Sequence, residues 1–170
     1  MKKVLFMISI LAVMLSTMAP VFATSKITTD STDKTSNVLV TYGVENTYTV
    51  TIPAEFKLSG TTILEGPVSA SDVVIPYGTS LNVTIESDNY DSTWNLVDLK
   101  EGASANKVPY NIGKSKSDNT VGTVVASKDV VLSVSAGTKT GSQTLYVQVP
   151  TVPTVAGDYQ DTIKFTVEVK

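Results

Sequence analysis

The closing stretch of the chain, residues 156–170, reads AGDYQDTIKFTVEVK and alternates apolar with polar side chains. Its large apolar residues fall at every second position: Ile163, Phe165, Val167 and Val169. Successive side chains of a β-strand point to opposite faces, so the pattern from residue 159 onward predicts a single half-buried strand. Gly157 and Asp158, which precede it, are residues typical of a turn. We expect this strand to be paired within a sheet.

The same period of two recurs along the chain, and after the first 23 residues no window has helical periodicity. Gly, Pro, Asn and Asp separate about nine short segments at roughly 8–12-residue spacing, which is typical of a sandwich or barrel. Two antiparallel sheets that pack their apolar faces together bury every alternating set. We therefore predict an all-β, immunoglobulin-like antiparallel β-sandwich. The main predicted strands cover residues 38–42, 46–53, 68–75, 80–87, 94–97, 108–112, 129–135, 145–149 and 159–169.

The first 23 residues, MKKVLFMISILAVMLSTMAPVFA, have the features of a cleavable signal peptide. Lys2 and Lys3 precede an apolar run, and residues 21–23 provide the small or aliphatic side chains of a cleavage site. A retained membrane anchor, which is the alternative, needs an apolar run of about 20 residues. The sequence thus predicts a secreted or extracellular protein, whether free or associated with the cell wall, that has no membrane association after cleavage.

Three regions follow from this interpretation: a signal peptide at residues 1–23, a flexible polar segment at 24–37, and a single β-sandwich domain at 38–170. Cleavage would move the formal charge from −3 to −5, because the leader contains Lys2 and Lys3 and no acidic residue. An acidic chain without arginine or lysine clusters does not suit nucleic acid. We therefore predict no nucleic-acid partner.

The chain contains no cysteine and no histidine. Disulfides, most zinc sites and every histidine-dependent catalytic triad are therefore excluded. The glutamates at 45, 55, 65, 86, 101 and 168 could provide a carboxylate pair for glycoside hydrolysis, but nothing in their spacing selects one. We predict no catalytic residue, no cofactor and no enzymatic activity.

One set of acidic and amide residues has two interpretations. Asp88, Asn89 and Asp91, together with Asp118 and Asn119 from another loop, are candidate calcium ligands. Their spacing lacks the pattern of a dedicated calcium loop, and Asp and Asn favour turns for their own reasons, so solvated turn residues are the better interpretation.

Trp94 is the only tryptophan, and it is either an exposed platform for sugar rings or a core residue between the sheets. The core interpretation is favoured, because large aromatic side chains mostly contribute burial. Lys164 is considered for an isopeptide crosslink to an asparagine, which would replace disulfides, but it falls on the polar face of its strand.

Three local patterns resemble exported surface proteins of low-GC Gram-positive bacteria: TYTVTIPAEFKL at residues 47–58, Trp94-Asn95-Leu96, and AGDYQDTIKFTVEV at 156–169. The second and third are similar to the WxL cell-wall-binding family, although Phe165 and Val167 replace the second tryptophan and leucine of its closing strand. The first and third also resemble pilin subunits of immunoglobulin-like fold. Some of these subunits complete a neighbour's sheet with an N-terminal segment.

These observations predict a non-catalytic secreted or cell-wall-associated surface module, structural or adhesive, which either forms fibres or binds the cell wall. Its expected partners are cell-wall polysaccharide, other surface proteins, or further copies of the chain through strand exchange. The alternative function is that of a carbohydrate-binding module for peptidoglycan or host glycans. Tyrosines could provide its aromatic contacts: Tyr42, Tyr48, Tyr77, Tyr90, Tyr110, Tyr146 and Tyr159.

Overall fold

The computed structural model describes residues 40–100 and 106–170, and every regular element in these ranges is a β-strand. The predicted signal peptide (1–23) and the predicted polar segment (24–37) both lie outside the described residues. Residues 43–170 form one compact unit. No helix in the described ranges is long and apolar enough to cross a membrane. The strands are β1 (Thr47–Thr51), β2 (Leu64–Val74), β3 (Ser80–Glu86), β4 (Trp94–Asp98), β5 (Lys107–Gly113), β6 (Lys116–Ser117), β7 (Thr120–Val121), β8 (Val130–Ser135), β9 (Gly141–Gln148), β10 (Tyr159–Gln160) and β11 (Lys164–Val169).

The strands form two main sheets and one small hairpin. The larger sheet has the order β1-β2-β9-β5-β4-β10, the smaller has the order β11-β3-β8, and β6 pairs with β7. Every pairing is antiparallel. Side chains from the two sheets meet in one apolar core. This arrangement confirms the predicted all-β, immunoglobulin-like sandwich architecture.

The alternating sequence pattern is the reason for the two-layer packing. In β3, Leu81, Val83 and Ile85 are fully buried, and the residues between them are only partly covered. Leu145 and Val147 of β9 are buried from the opposite sheet. Burial of a Val, Leu or Ile side chain contributes roughly 1.5–3 kcal/mol, so a strand that slipped by one residue would lose several such contributions.

The predicted closing strand is divided between the two sheets, and here the prediction of one continuous strand was wrong. Strand β10 pairs with β4 at the edge of the larger sheet, whereas β11 pairs with β3 in the smaller sheet. Residues 161–163 cross from one sheet to the other. Alternation shows which face a side chain occupies but not which strand lies beside it, so the change of sheet is not visible in the pattern.

Several shorter segments also differ from the predicted strands. Residues 40–42 are not in a strand, and Val40 and Tyr42 are 87% and 91% exposed, while residues 38 and 39 lie outside the described ranges. The short strands β6 and β7 and the isolated bridge at Val124 lie in segments for which the sequence predicts no strand. These segments are short, so local turn chemistry outweighs their strand propensity.

Candidate functional site

A cleft of about 890 Å³, lined by both apolar and polar side chains, opens where the inner face of the larger sheet extends beyond the three strands of the smaller one. The segment 53–58 borders one side, and the sheet crossover with the beginning of β11 borders the other. The smaller sheet has fewer strands than the larger one, and Leu96, Ile163 and Phe165 are only partly covered at this side. Apolar lining residues from the strands and their ends are Leu96, Val108, Val147, Val149, Ile163 and Phe165.

Apolar side chains also surround the mouth of the cleft. Leu99 and Val152, which both line it, are 62% and 54% exposed, and the nearby Val155 is 48% exposed. Exposed apolar groups at the rim of a groove are typical of a surface that binds another protein segment. We call this surface, consisting of the cleft and these rim residues, the side cleft.

The edge of β11 lies beside the side cleft. Lys170 and Ser80 exchange backbone hydrogen bonds in both directions (2.6 and 3.0 Å), which identifies the β3-facing positions of the ladder. In an antiparallel pair these positions alternate, so the backbone N–H and C=O groups of Phe165, Val167 and Val169 point away from β3. No strand in residues 40–100 or 106–170 pairs with that edge. The edge is therefore open to a further strand.

The crossover between β10 and β11 is held by Asp161. Its carboxylate accepts hydrogen bonds from Ser87 Oγ (2.6 Å), Asn89 Nδ2 (2.8 Å) and the hydroxyl of Tyr110 (2.6 Å). It also accepts one from the backbone N–H of Thr162 at 2.8 Å. Burial, and then the hydrogen bond and charge of Asp161, raise the pKa of Tyr110, so its hydroxyl stays protonated and donates. One carboxylate thus connects the crossover to β5 and to the β3–β4 loop.

Sequence reasoning did not select Asp161, although the sequence contains a signal. The apolar phase of the closing stretch includes residues 159, 163, 165, 167 and 169, and Asp161 occupies the same phase. A carboxylate at an inward-facing position needs several donors, and the structure provides them. A polar residue in an apolar phase therefore marks the place where this strand leaves one sheet.

Trp94 is a core residue, so the alternative of an exposed sugar platform was wrong. Its side chain is 1% exposed, and its indole Nε1 donates to the carbonyl oxygen of Val125 at 2.8 Å. The ring packs edge-on against Tyr90 at a centroid distance of 5.1 Å and at a tilt against Tyr110 at 6.1 Å. The interior location follows from the need to bury a large ring while its N–H finds an acceptor.

The calcium candidates of the β3–β4 loop lie among protein hydrogen-bond partners. Asp88 is exposed, and Asn89 donates to Asp161. Asp91 accepts from Lys107 Nζ at 2.6 Å and from Asn95 Nδ2 at 2.8 Å. The hydrogen bond from Lys107, followed by that from Asn95, lowers the pKa of Asp91 to about 2. In this arrangement the carboxylate holds the loop closed.

The other two calcium candidates, Asp118 and Asn119, occupy the β6–β7 turn, and the Asn119 carbonyl oxygen accepts from Gln148 Nε2 at 2.8 Å. Hydrogen bonds connect neither residue with the β3–β4 loop. Within the described residues, no group of three or more Asp or Glu side chains is placed to hold a metal ion. Lys164 is exposed and pairs with Glu86 at 2.6 Å, so the geometry gives no buried lysine for a crosslink there.

The glutamates considered for glycoside hydrolysis are distributed over the surface, and Glu101 lies outside the described residues. Four of the others form ion pairs with lysine: Glu55–Lys57, Glu65–Lys116, Glu86–Lys164 and Glu168–Lys170.

The tyrosines considered for carbohydrate contacts lie in different environments. Tyr110 is 2% exposed, Tyr77 is fully exposed on the β2–β3 turn, and Tyr48 is 41% exposed on β1.

Comparisons with known proteins assign no family to this chain. No family model matches it, and no curated protein matches it. Among solved structures, it is similar to a chain of the CsuC–CsuE chaperone–tip adhesion subunit pre-assembly complex from archaic chaperone-usher Csu pili of Acinetobacter baumannii. The identity is 15% and the TM-score 0.46, over 72% of this chain and 40% of that one. The chain spans less than half of the matched chain, and a likeness of this degree carries no argument about function.

Proposed function

We propose that this chain is a non-catalytic structural or adhesive module of the cell surface that assembles with further copies of itself by strand exchange at the side cleft. The observation that carries the proposal is the open edge of β11 beside the side cleft, whose inner wall includes Leu96, Ile163 and Phe165. A strand added there would pair with the free backbone groups of Phe165, Val167 and Val169 and place its apolar side chains in the cleft. Both parts of β-strand addition, the backbone ladder and the side-chain pockets, are present at one site.

The segment that would occupy the site in a neighbouring copy is residues 38–44, VLVTYGV. Val40, Tyr42 and Val44 alternate along it and are 87%, 91% and 62% exposed. Pairing of the segment with another chain would remove these side chains from contact with water. Each buried valine would contribute roughly 1.5–3 kcal/mol, before the cost of ordering the segment is subtracted.

A location outside the cell agrees with the signal-peptide features of residues 1–23. Association with the cell wall is part of the proposal, and it draws on the resemblance of Trp94-Asn95-Leu96 and of the closing stretch to the WxL family. Since Trp94 is buried, wall contact would use other residues than this tryptophan.

The first test compares the mature chain, residues 24–170, with a variant that lacks residues 24–46. Strand exchange predicts a ladder of high-mass species on unboiled gels for the intact chain and a monomer for the deletion variant. Light scattering after size exclusion gives the masses independently. Assembly of the deletion variant to the same masses would refute the proposed role of the segment.

Point variants separate the segment from the edge that receives it. The triple variant Val40→Ser, Tyr42→Ser, Val44→Ser should abolish assembly, whereas Val124→Ser, at a valine nearly as exposed as Val44 (54% against 62%), should not. Val167→Pro should also block assembly, because it removes an N–H from the free edge and leaves the β3-facing N–H groups of Thr166 and Glu168 in place. If Val167→Pro assembled normally while it remained folded, the edge of β11 would not be the acceptor.

A carbohydrate-binding function is the alternative, and the fully exposed ring of Tyr77 is the observation that favours it. Exposed aromatic faces bind sugar rings by apolar contact. Sedimentation with insoluble peptidoglycan would test it: binding by the mature chain that is lost in Tyr77→Ala supports this function. Equal binding by both proteins would exclude Tyr77 from any such site.

A further inference from the structure

We infer that the β10–β11 crossover is a latch closed by Asp161, and that two copies of this chain exchange β11 when the latch opens. The partner is thus a second copy of the chain, and the acceptor is the edge of β3 that β11 itself covers in the monomer. This exchange is a second route of association, and it does not involve residues 38–44. Its biological use rests on the proposed function.

Strand β11 is held less firmly than the strands it completes. It pairs with β3 alone, and its apolar residues Phe165, Val167 and Val169 are only half-buried. By contrast, the facing side chains of β3 are fully buried. A strand with one neighbour and half-covered side chains is among the first elements to detach in local opening.

The connection that precedes the crossover is suited to reach another molecule. Residues 149–158 between β9 and β10 are almost all exposed, and Pro150 and Pro153 restrict their backbone to extended conformations. In extended form these residues span roughly 30 Å. Strand β10 consists of only two residues, so little pairing has to break before the closing segment can separate.

Asp161 is the main fixed point of this segment. Its partners Ser87, Asn89 and Tyr110 all belong to other parts of the sandwich, so their hydrogen bonds exist only while the crossover is seated. Loss of a hydrogen bond to a charged group raises the population of the open form by about tenfold or more. The latch therefore sets how often β11 leaves its own sheet.

The edge of β3 that is uncovered when β11 detaches is complementary to the sequence of β11. The register runs from Lys164 opposite Glu86 to Val169 opposite Leu81, and it includes the ion pair of Lys164 with Glu86. A second copy brings the same residues in the same order. Exchange of an identical element is a low-cost route to association, because every interaction that breaks within one molecule forms again between the two.

Cysteine trapping tests the exchange, and the natural chain has no cysteine that would interfere. Thr166 and Thr84 are register partners on the outer face of the smaller sheet. When Thr166→Cys and Thr84→Cys chains are mixed and oxidised, β11 of one copy lying on β3 of the other brings the two cysteines within disulfide distance, so a linked heterodimer should form at a yield above that of chance collision. The double variant, which should close an intramolecular disulfide, verifies the geometry.

The heterodimer should form about tenfold faster in the Tyr110→Phe background, and also faster with the milder Ser87→Ala, which removes another donor to Asp161. Ile112→Val, a core substitution on the same strand as Tyr110, is the control for a general loss of stability. Thr166→Cys mixed with Ser133→Cys is the control for chance collision, because Ser133 is exposed on the same face one strand further on.

A heterodimer yield no higher than that of the Ser133 control would overturn the exchange, and equal acceleration by Ile112→Val would overturn the role of the latch. Repeating the experiment without residues 24–46 separates this inference from the proposed function. Heterodimers without a high-mass ladder in the intact chain would support β11 exchange and refute the fibre, and a ladder without heterodimers would do the reverse.

Discussion

Replacement of Trp94 by phenylalanine tests how the sandwich core is held together. The indole Nε1 donates to the Val125 carbonyl oxygen at 2.8 Å, and the side chain is 1% exposed, so phenylalanine leaves a buried carbonyl unpaired. That loss costs about 1–3 kcal/mol. The missing ring leaves a cavity, although Tyr90 and Tyr110 still contact the phenyl group, and complete truncation of a tryptophan would cost about 3–5 kcal/mol. We expect a total loss of about 2–4 kcal/mol.

Urea unfolding of residues 24–170, followed by far-ultraviolet circular dichroism, measures this loss. With an m-value of about 1–3 kcal/mol/M, the midpoint of Trp94→Phe should fall by roughly 1–2 M. Tyr77→Phe, at a fully exposed site, should change the free energy of unfolding by less than about 0.5 kcal/mol. If Trp94→Phe unfolded at the same urea concentration as Tyr77→Phe, neither the hydrogen bond nor the packing of Trp94 would stabilise the core.

Three other predictions concern the β3–β4 loop and the strands that follow it. Asn95→Ala should lower the free energy of unfolding by about 1–3 kcal/mol, because Asn95 Nδ2 donates to two carbonyl oxygens and to Asp91, and urea unfolding checks this. The pKa of Asp91 is lowered from 3.8 to about 2, so its ionised carboxylate should stabilise the fold above about pH 4 and lose this contribution between pH 4 and 2. Lys107→Met should weaken this dependence of stability on pH, which acid unfolding curves measure. Gly113→Ala should lower the melting temperature, since its Cβ would overlap a backbone oxygen, whereas Gly43→Ala, with open space around it, should not.

The sandwich could be predicted from the sequence because the alternation of apolar and polar residues in each strand shows which face is buried. Leu81, Val83 and Ile85 alternate with polar residues in the sequence, and these three are fully buried in the structure. The same reasoning favoured a core position for Trp94, which the structure confirms. Periodicity is a property of a single strand, and therefore it does not depend on which strands become neighbours.

The order of the strands and the side cleft could not be predicted in this way. Whether the smaller sheet has three strands or four depends on pairing between distant segments, and no local pattern encodes it. The hydrogen bonds of Asp161 likewise join residues more than 50 positions apart. Only its place in the apolar phase of the closing stretch indicated that something unusual occurs there.

The pairing of β3 with β11 also determines when the smaller sheet can be completed. Lys164 is separated from its partner Glu86 by 78 positions, so β3 is made long before its neighbour leaves the ribosome. During that interval the hydrogen-bonding groups along the β3 edge are uncovered, and nascent chains that emerge close together can pair prematurely. Slow translation of residues 156–170 would therefore favour misassembled oligomers over correctly completed molecules.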